Sequence, residues 1–136
     1  MGTAINELGT KQVMHHNAAS ANGNGERANV GAFGLHVMQV EITGTATVHF
    51  EGTMDGQTWF PLRAVNLATG AQGTSTTSSG LFQMSCAGLE YVRARISDVS
   101  GTPSVTVIGR SLPVSPGDAA GASSALLETG QAKVTL

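Results

Sequence analysis

The chain has 136 residues, 18 of them glycine, with 4% aromatic and only 12% charged residues, a length that holds one domain and hardly two. Seven Lys and Arg against nine Asp and Glu leave a net charge of -2, so the clustered cations that grip a phosphate backbone are lacking and nucleic acid is not an expected partner. A hydrophobic fraction of 40% argues against wholesale disorder, and no apolar run reaches the roughly 18 residues that mark a membrane-spanning helix.

Residues 1–27 are small and polar. The first eleven lack the basic region and apolar core of a secretory signal peptide, and Asn6 stands where N-myristoylation asks for Ser or Thr. Asn22-Gly23 and Asn24-Gly25 favour turns, so the segment reads as an extended N-terminal arm. A β domain is predicted over residues 28–112. Residues 35–42 set His36, Met38, Val40 and Ile42 on one face; residues 45–51 alternate Ala46, Val48 and Phe50 with Thr45, Thr47, His49 and Glu51. Period two of this kind marks strands with one buried face, and Gly44 between them suits a hairpin or a bulge.

Residues 59–65 form a further predicted strand, at an edge because Pro61 lacks a donor. Residues 81–86 place Phe82, Met84 and Cys86 inward. Residues 91–96 place Val92, Ala94 and Ile96 inward, with Tyr91, Arg93 and Arg95 outward. Residues 104–110 close the set with Val105, Val107 and Ile108. Short strands punctuated by Asp55-Gly56, Gly80, Gly88 and Gly101 predict an all-β fold, an antiparallel β-sandwich of jelly-roll or Ig-like kind.

Residues 64–89 carry no charge at all. They read equally as a flexible surface loop or as surface packed on a neighbouring subunit, where a charge would have to be desolvated. After residue 112 the pattern dissolves around Pro113 and Pro116 and returns in residues 131–136, where Ala132, Val134 and Leu136 alternate with polar residues. Residues 113–136 therefore form a C-terminal linker and terminal strand that folds back or contacts another copy.

Signals for chemistry are sparse. Gly23-Asn-Gly-Glu-Arg-Ala28 has the letters of a dinucleotide fingerprint, but no strand precedes it and no helix follows. Among His15, His16, His36 and His49, no spacing supports a metal site. His15 and His16 fall in the flexible arm, and His36 on an apolar face reads as a hydrogen-bonded core or rim histidine. Cys86 is the sole cysteine, which excludes an intrachain disulfide and favours a reduced, buried thiol. A nucleophile elbow is missing and Glu51, Asp55, Glu90 and Asp98 are scattered over turns and outward positions. The chain reads as a non-enzyme without cofactor or metal.

The strongest local signal is Glu51-Gly-Thr-Met-Asp-Gly-Gln-Thr-Trp59. Asp55-Gly56 suits a tight turn with positive φ at the glycine, capped by the Asp55 carboxylate, with the Trp59 indole covering the turn or the core rim. The segment resembles the Asp-box of sialidases and other β-propellers, one residue shorter and in a single copy, whereas propellers need repeated blades. Similar turns occur in carbohydrate-binding sandwich modules.

Residues 28–112 also resemble, in the order of their pieces, small β-sandwich structural proteins of tailed bacteriophages. The pieces are Val37-Met-Gln-Val-Glu-Ile-Thr-Gly44, Ala46-Thr-Val-His-Phe-Glu-Gly52, Asp55-Gly-Gln-Thr-Trp59, Gly80-Leu-Phe82, Ala87-Gly-Leu-Glu-Tyr-Val-Arg-Ala-Arg-Ile96 and Ser104-Val-Thr-Val-Ile108. The resemblance implies a virion structural protein, foremost a capsid decoration (cement) protein assembled in the host cytoplasm. Its implied partners are the major capsid protein or other virion proteins, and sister copies in a homo-oligomer such as a trimer. The alternatives are a tail or head–tail connector protein, or a glycan-binding module on a virion fibre with Trp59, Phe60 and Tyr91 as its aromatic platform. On this reading the low charge is surface kept for subunit contact, with Ala132, Val134 and Leu136 as candidate contacts.

Overall fold

The computed structural model describes residues 3–5 and 10–113; the predicted C-terminal strand with Ala132, Val134 and Leu136 lies outside the described residues. Eleven strands follow in order: β1 (Thr3–Ile5), β2 (Lys11–Ala19), β3 (Gly23–Asn24), β4 (Ala28–Asn29), β5 (Leu35–Thr53), β6 (Phe60–Pro61), β7 (Ala64–Asn66), β8 (Gln72–Gly73), β9 (Ser75–Thr76), β10 (Gly80–Ser85) and β11 (Tyr91–Leu112). They form one sheet whose main path runs β1-β2-β11-β5-β10-β7-β8, and every pairing is antiparallel. The fold is all-β, as the alternation predicts.

Two strands organise it. β5 has 19 residues and β11 has 22, each about 60–70 Å long if straight, so both must bend. β11 pairs with β5 from Tyr91↔Thr53 to Leu112↔Leu35, with register shifts between Ser97 and Ser104. Asp98 and Gly101 take φ of 55° and 73° in that interval, opposite Gly44 with φ of 88°. A Cβ on Gly44 would stand 3.1 Å from Pro103 Cα, so the bend is a close backbone approach that glycine permits. Gly44 is therefore a bend inside one strand, not a hairpin.

The bend folds the sheet onto itself. In the first layer β5 pairs with β10, and β11 with β2; in the second, β5 pairs with β6 and β9, and β11 with β3 and β4. Met38, Val40, Phe82, Met84, Val105 and Val107 from the first layer meet Ala46, Val48, Phe50, Val92, Ala94 and Ile96 from the second in a single core. The Phe50 and Phe82 rings touch across it at 5.1 Å between centroids. Each such side chain, fully buried, contributes about 1.5–3 kcal/mol.

Two sequence boundaries move. Residues 1–27 read as an arm, yet β2 lies in register on β11, with Val13 opposite Gly109 and Ser111 opposite Lys11. Only Val13 and His15 of its nine residues are buried, too few to print a period-two signature. The predicted strand over residues 59–65 is interrupted: Phe60–Pro61 pairs with β5, and Ala64–Asn66 pairs with β10. Within residues 64–89, the Asn66 side chain accepts from Ala68 N at 2.9 Å and Thr76 Oγ1 accepts from Ser78 N at 3.0 Å, so short polar caps shape this charge-free stretch.

Candidate functional site at the Asp55 turn

The turn after β5 is built from its own hydroxyl and carboxylate. Asp55 Oδ1 accepts from Gln57 N at 2.8 Å and Thr58 N at 2.9 Å. The Thr53 hydroxyl shares its proton between Asp55 Oδ1 at 2.9 Å and the Thr58 carbonyl at 2.7 Å, and accepts from Gly56 N at 3.1 Å. Hydrogen bonds from Thr58, Gln57 and Thr53 hold the Asp55 carboxyl down at about 2, because they favour the charged form. Gly56 takes φ of 77°. Thr53, which sequence reasoning did not single out, is the second half of this cap; a hydroxyl two residues before Asp is the signal that could have found it.

Trp59 is half-buried. The Arg93 guanidinium lies 4.1 Å from its ring centroid. Arg93 Nε and Arg95 Nε each donate to one oxygen of Glu51 at 2.9 Å. Burial alone would raise the Glu51 carboxyl, but the bonds from Arg95 and Arg93 outweigh it and hold it below the usual range. Arg27 lies over Tyr91 in the same way, at 4.2 Å. Cation–π stacking of this kind occupies one face of each aromatic ring.

Beside the turn opens a cleft of about 340 Å³, walled by Met54, Phe60, Pro61, Leu62 and Leu89. Met54 is 75% and Phe60 63% exposed. At its floor, a Cβ on Gly52 would come within 2.8 Å of Leu89 Cδ1, so the glycine admits that leucine. Asp55 and Thr58 reach the rim with their turn bonds already made. Such a surface takes up apolar groups. Sequence reasoning brought Asp55, Gly56 and Trp59 together; it missed the cleft, whose walls join residues 52–62 to Leu89.

A second polar cluster lies inside the first layer. His15 Nδ1 is 2.6 Å from the Glu26 carbonyl, which can only accept, so Nδ1 carries the proton. His15 Nε2 then accepts from His36 Nε2–H at 2.9 Å, and His36 Nδ1 accepts from the Ser111 hydroxyl at 2.7 Å. Burial, the largest cause, lowers His15 to about 4 and His36 to about 3. The order Ser–His–His is that of a catalytic relay, but Ser111 and His36 are 0% exposed and neither borders a described cleft. His36 is the core histidine its apolar face suggests; His15, expected in a flexible arm, is its buried partner.

The remaining candidates are isolated. His16 Nε2 donates to the Ala94 carbonyl at 2.9 Å, and His49 pairs with Ser97 Oγ at 2.6 Å. Cys86 is buried, and burial pushes its thiol up to about 11. Among the described residues no group of three or more His, Cys, Asp or Glu could hold a metal ion.

The comparisons with known proteins bear on the fold. No curated protein sequence matches the chain. The solved structure of the SPBc2 prophage-derived protein YomS superposes with a TM-score of 0.70 at 24% identity, over 79% of this chain and 96% of that one. The PBSX exported protein XepA superposes with a TM-score of 0.72 at 18% identity over 79% of this chain, which spans only 39% of that longer protein. The family model named XepA matches residues 9–111, from just before β2 to the end of β11. With three-quarters of its length inside that match, the chain belongs to the XepA family.

Proposed function

We propose that the protein is a phage-encoded structural protein that works by surface contact rather than catalysis, with decoration of the capsid shell as its first role. The observation that carries this reading is the apolar cleft at the Asp55 turn, with Met54 and Phe60 standing 75% and 63% exposed beside it. Large neighbouring apolar side chains on a surface mark contact sites, and a rigid capped turn holds them in place. The low charge of the chain, 12%, supports the same view. The partners in this reading are the major capsid protein or other virion proteins, together with sister copies; a tail or head–tail position would use the same surface.

The names of the structural neighbours, one prophage-derived and one an exported protein of a prophage, support a phage origin. The word exported also favours a second reading, in which the cleft engages a partner outside the host cytoplasm instead of a virion. A glycan-binding role has less support: of its aromatic platform only Phe60 stands exposed, while Trp59 and Tyr91 are half-buried with Arg93 and Arg27 over one face of each.

Co-sedimentation with purified phage particles separates the readings. The protein is expected to pellet with particles and saturate at a fixed copy number. Met54→Ser with Phe60→Ser should weaken attachment about tenfold or more, as loss of apolar anchors does at an interface. Absence from particles, with the protein recovered instead from the medium, would sink the virion reading and leave the exported one.

A further inference from the structure

We infer that the buried His15–His36 pair is an acid-sensitive clasp, which fastens β2 to the β5–β11 pair at neutral pH and releases that strand first when an imidazole is protonated.

The argument starts from the weakness of β2. Of its nine residues only Val13 and His15 are buried, and its pairing with β11 is irregular around Val107, with register shifts on either side. Ala18, near its end, takes a φ of 52°, a strained value for a residue with a Cβ. By contrast β5 and β11 bury Met38, Val40, Ala46, Val48 and Phe50 against Val92, Ala94, Ile96, Val105 and Val107. Local opening free energy follows buried contact. The hold on β2 thus depends on His15 far more than the hold between β5 and β11 depends on any one residue.

The clasp joins three places. His15 on β2 meets His36 on β5, which meets Ser111 on β11, while the Glu26 carbonyl pins the other side of His15. Gly109 lies directly beneath: a Cβ there would stand 2.5 Å from both Nε2 atoms. With both rings neutral, one proton lies between the two Nε2 atoms and every ring nitrogen has a partner.

A second proton breaks this. On His15 Nε2 it faces the Nε2–H of His36 across 2.9 Å, donor against donor. On His36 Nδ1 it can be accepted by a rotated Ser111 hydroxyl, but leaves a buried cation. The surrounding groups do not compensate it. Lys11 and His16 on β2 add positive potential. Arg110 on β11 is exposed and engaged with Gln12. Glu26 offers its backbone carbonyl while its side chain is exposed. β10 places Met84 opposite His36, followed by the neutral thiol of Cys86. Among the described residues no carboxylate is bonded to either ring, so the charge is relieved by moving His15, and β2 with it, into water.

Ring-nitrogen correlation spectra and amide exchange of the full chain, followed from pH 7.5 to 4, test the clasp. At pH 7 His15 should be the Nδ1–H tautomer and His36 the Nε2–H tautomer, and neither should begin to protonate until about pH 5. Between pH 6.5 and 4.5, protection of the β2 amides, corrected for intrinsic exchange, should fall about tenfold, while the amides of Val92, Ala94 and Ile96 change less than about twofold. His36→Gln, whose amide donates to His15 and accepts from Ser111 without titrating, should cut that pH dependence by about half, because His15 still titrates. The inference is overturned if either imidazole titrates near 6.5, if β2 and β11 lose protection together, or if the glutamine variant keeps the native pH slope. Should that variant fail to fold, the ring titration of the native chain decides alone.

Discussion

The Asp55 turn and the His15–His36–Ser111 chain are both small polar networks, but they are held by opposite means. The first spans six residues, Thr53 to Thr58, sits at the surface and keeps a carboxylate charged. The second joins residues 11, 21 and 75 positions apart, is buried, and keeps two imidazoles neutral. A network made by neighbours in the chain survives in water because its geometry is local. One made by distant residues exists only while the layers are assembled, and its polar atoms become a liability when any partner is lost.

Replacing Gly109 by alanine has the largest expected effect. The new Cβ must displace both imidazoles, since it would stand 2.5 Å from each Nε2. Overpacking together with a broken buried hydrogen bond should cost about 3 kcal/mol or more in urea denaturation. A loss below about 1 kcal/mol would mean that the histidine chain is not held at this spacing.

Acid separates the two networks by pH window. The histidines have folded values of about 4 and 3, below the ordinary imidazole value of 6.5. The unfolded chain therefore binds protons first: their contribution is complete above about 6.5 and is lost as pH falls towards 4 and then 3. Asp55, at about 2 against 3.8, contributes fully above 3.8 and fades only as pH falls towards 2. Stability measured from pH 7 to 4.5 should thus fall in the native chain and in Asp55→Asn alike, and about half as steeply in His36→Gln, where His15 alone still titrates. Equal slopes in all three would refute the assignment.

A smaller effect is expected at the turn itself. Asp55→Ala removes the acceptor for Gln57 N and Thr58 N and should lower Tm by a few degrees. Asp55→Asn, which keeps an acceptor oxygen, should lower it less. The least effect belongs to the cleft. Met54→Ser and Phe60→Ser change exposed side chains and should move stability by no more than about 0.5 kcal/mol, so any loss of particle attachment in that pair would report on contact and not on folding.

What was legible in the chain followed from alternation and from local turn chemistry. The faces of β5, β10 and the first half of β11 could be read because period two carries no information beyond neighbours. The buried positions of β5 are even-numbered on both sides of Gly44, from Met38 to Phe50, and that unbroken parity was the sign that one strand, not a hairpin, ran through the glycine. In β11 parity switches from Val92, Ala94 and Ile96 to Val105 and Val107. A change of phase is what extra residues in a strand produce, and the turn letters around Gly101 disguised it as a chain reversal.

The all-β class, the capped turn at Asp55-Gly56 and the inward faces of the core strands were written in the chain, because these depend on residues two to five positions apart. The tertiary structure alone decided that β2 completes the sheet, that Leu89 and Phe60 share a cleft, and that His15 meets His36 above Gly109. Each of those depends on how a bent sheet folds back on itself, and a strand with two buried residues or a glycine beneath two rings has no periodic signature to announce it.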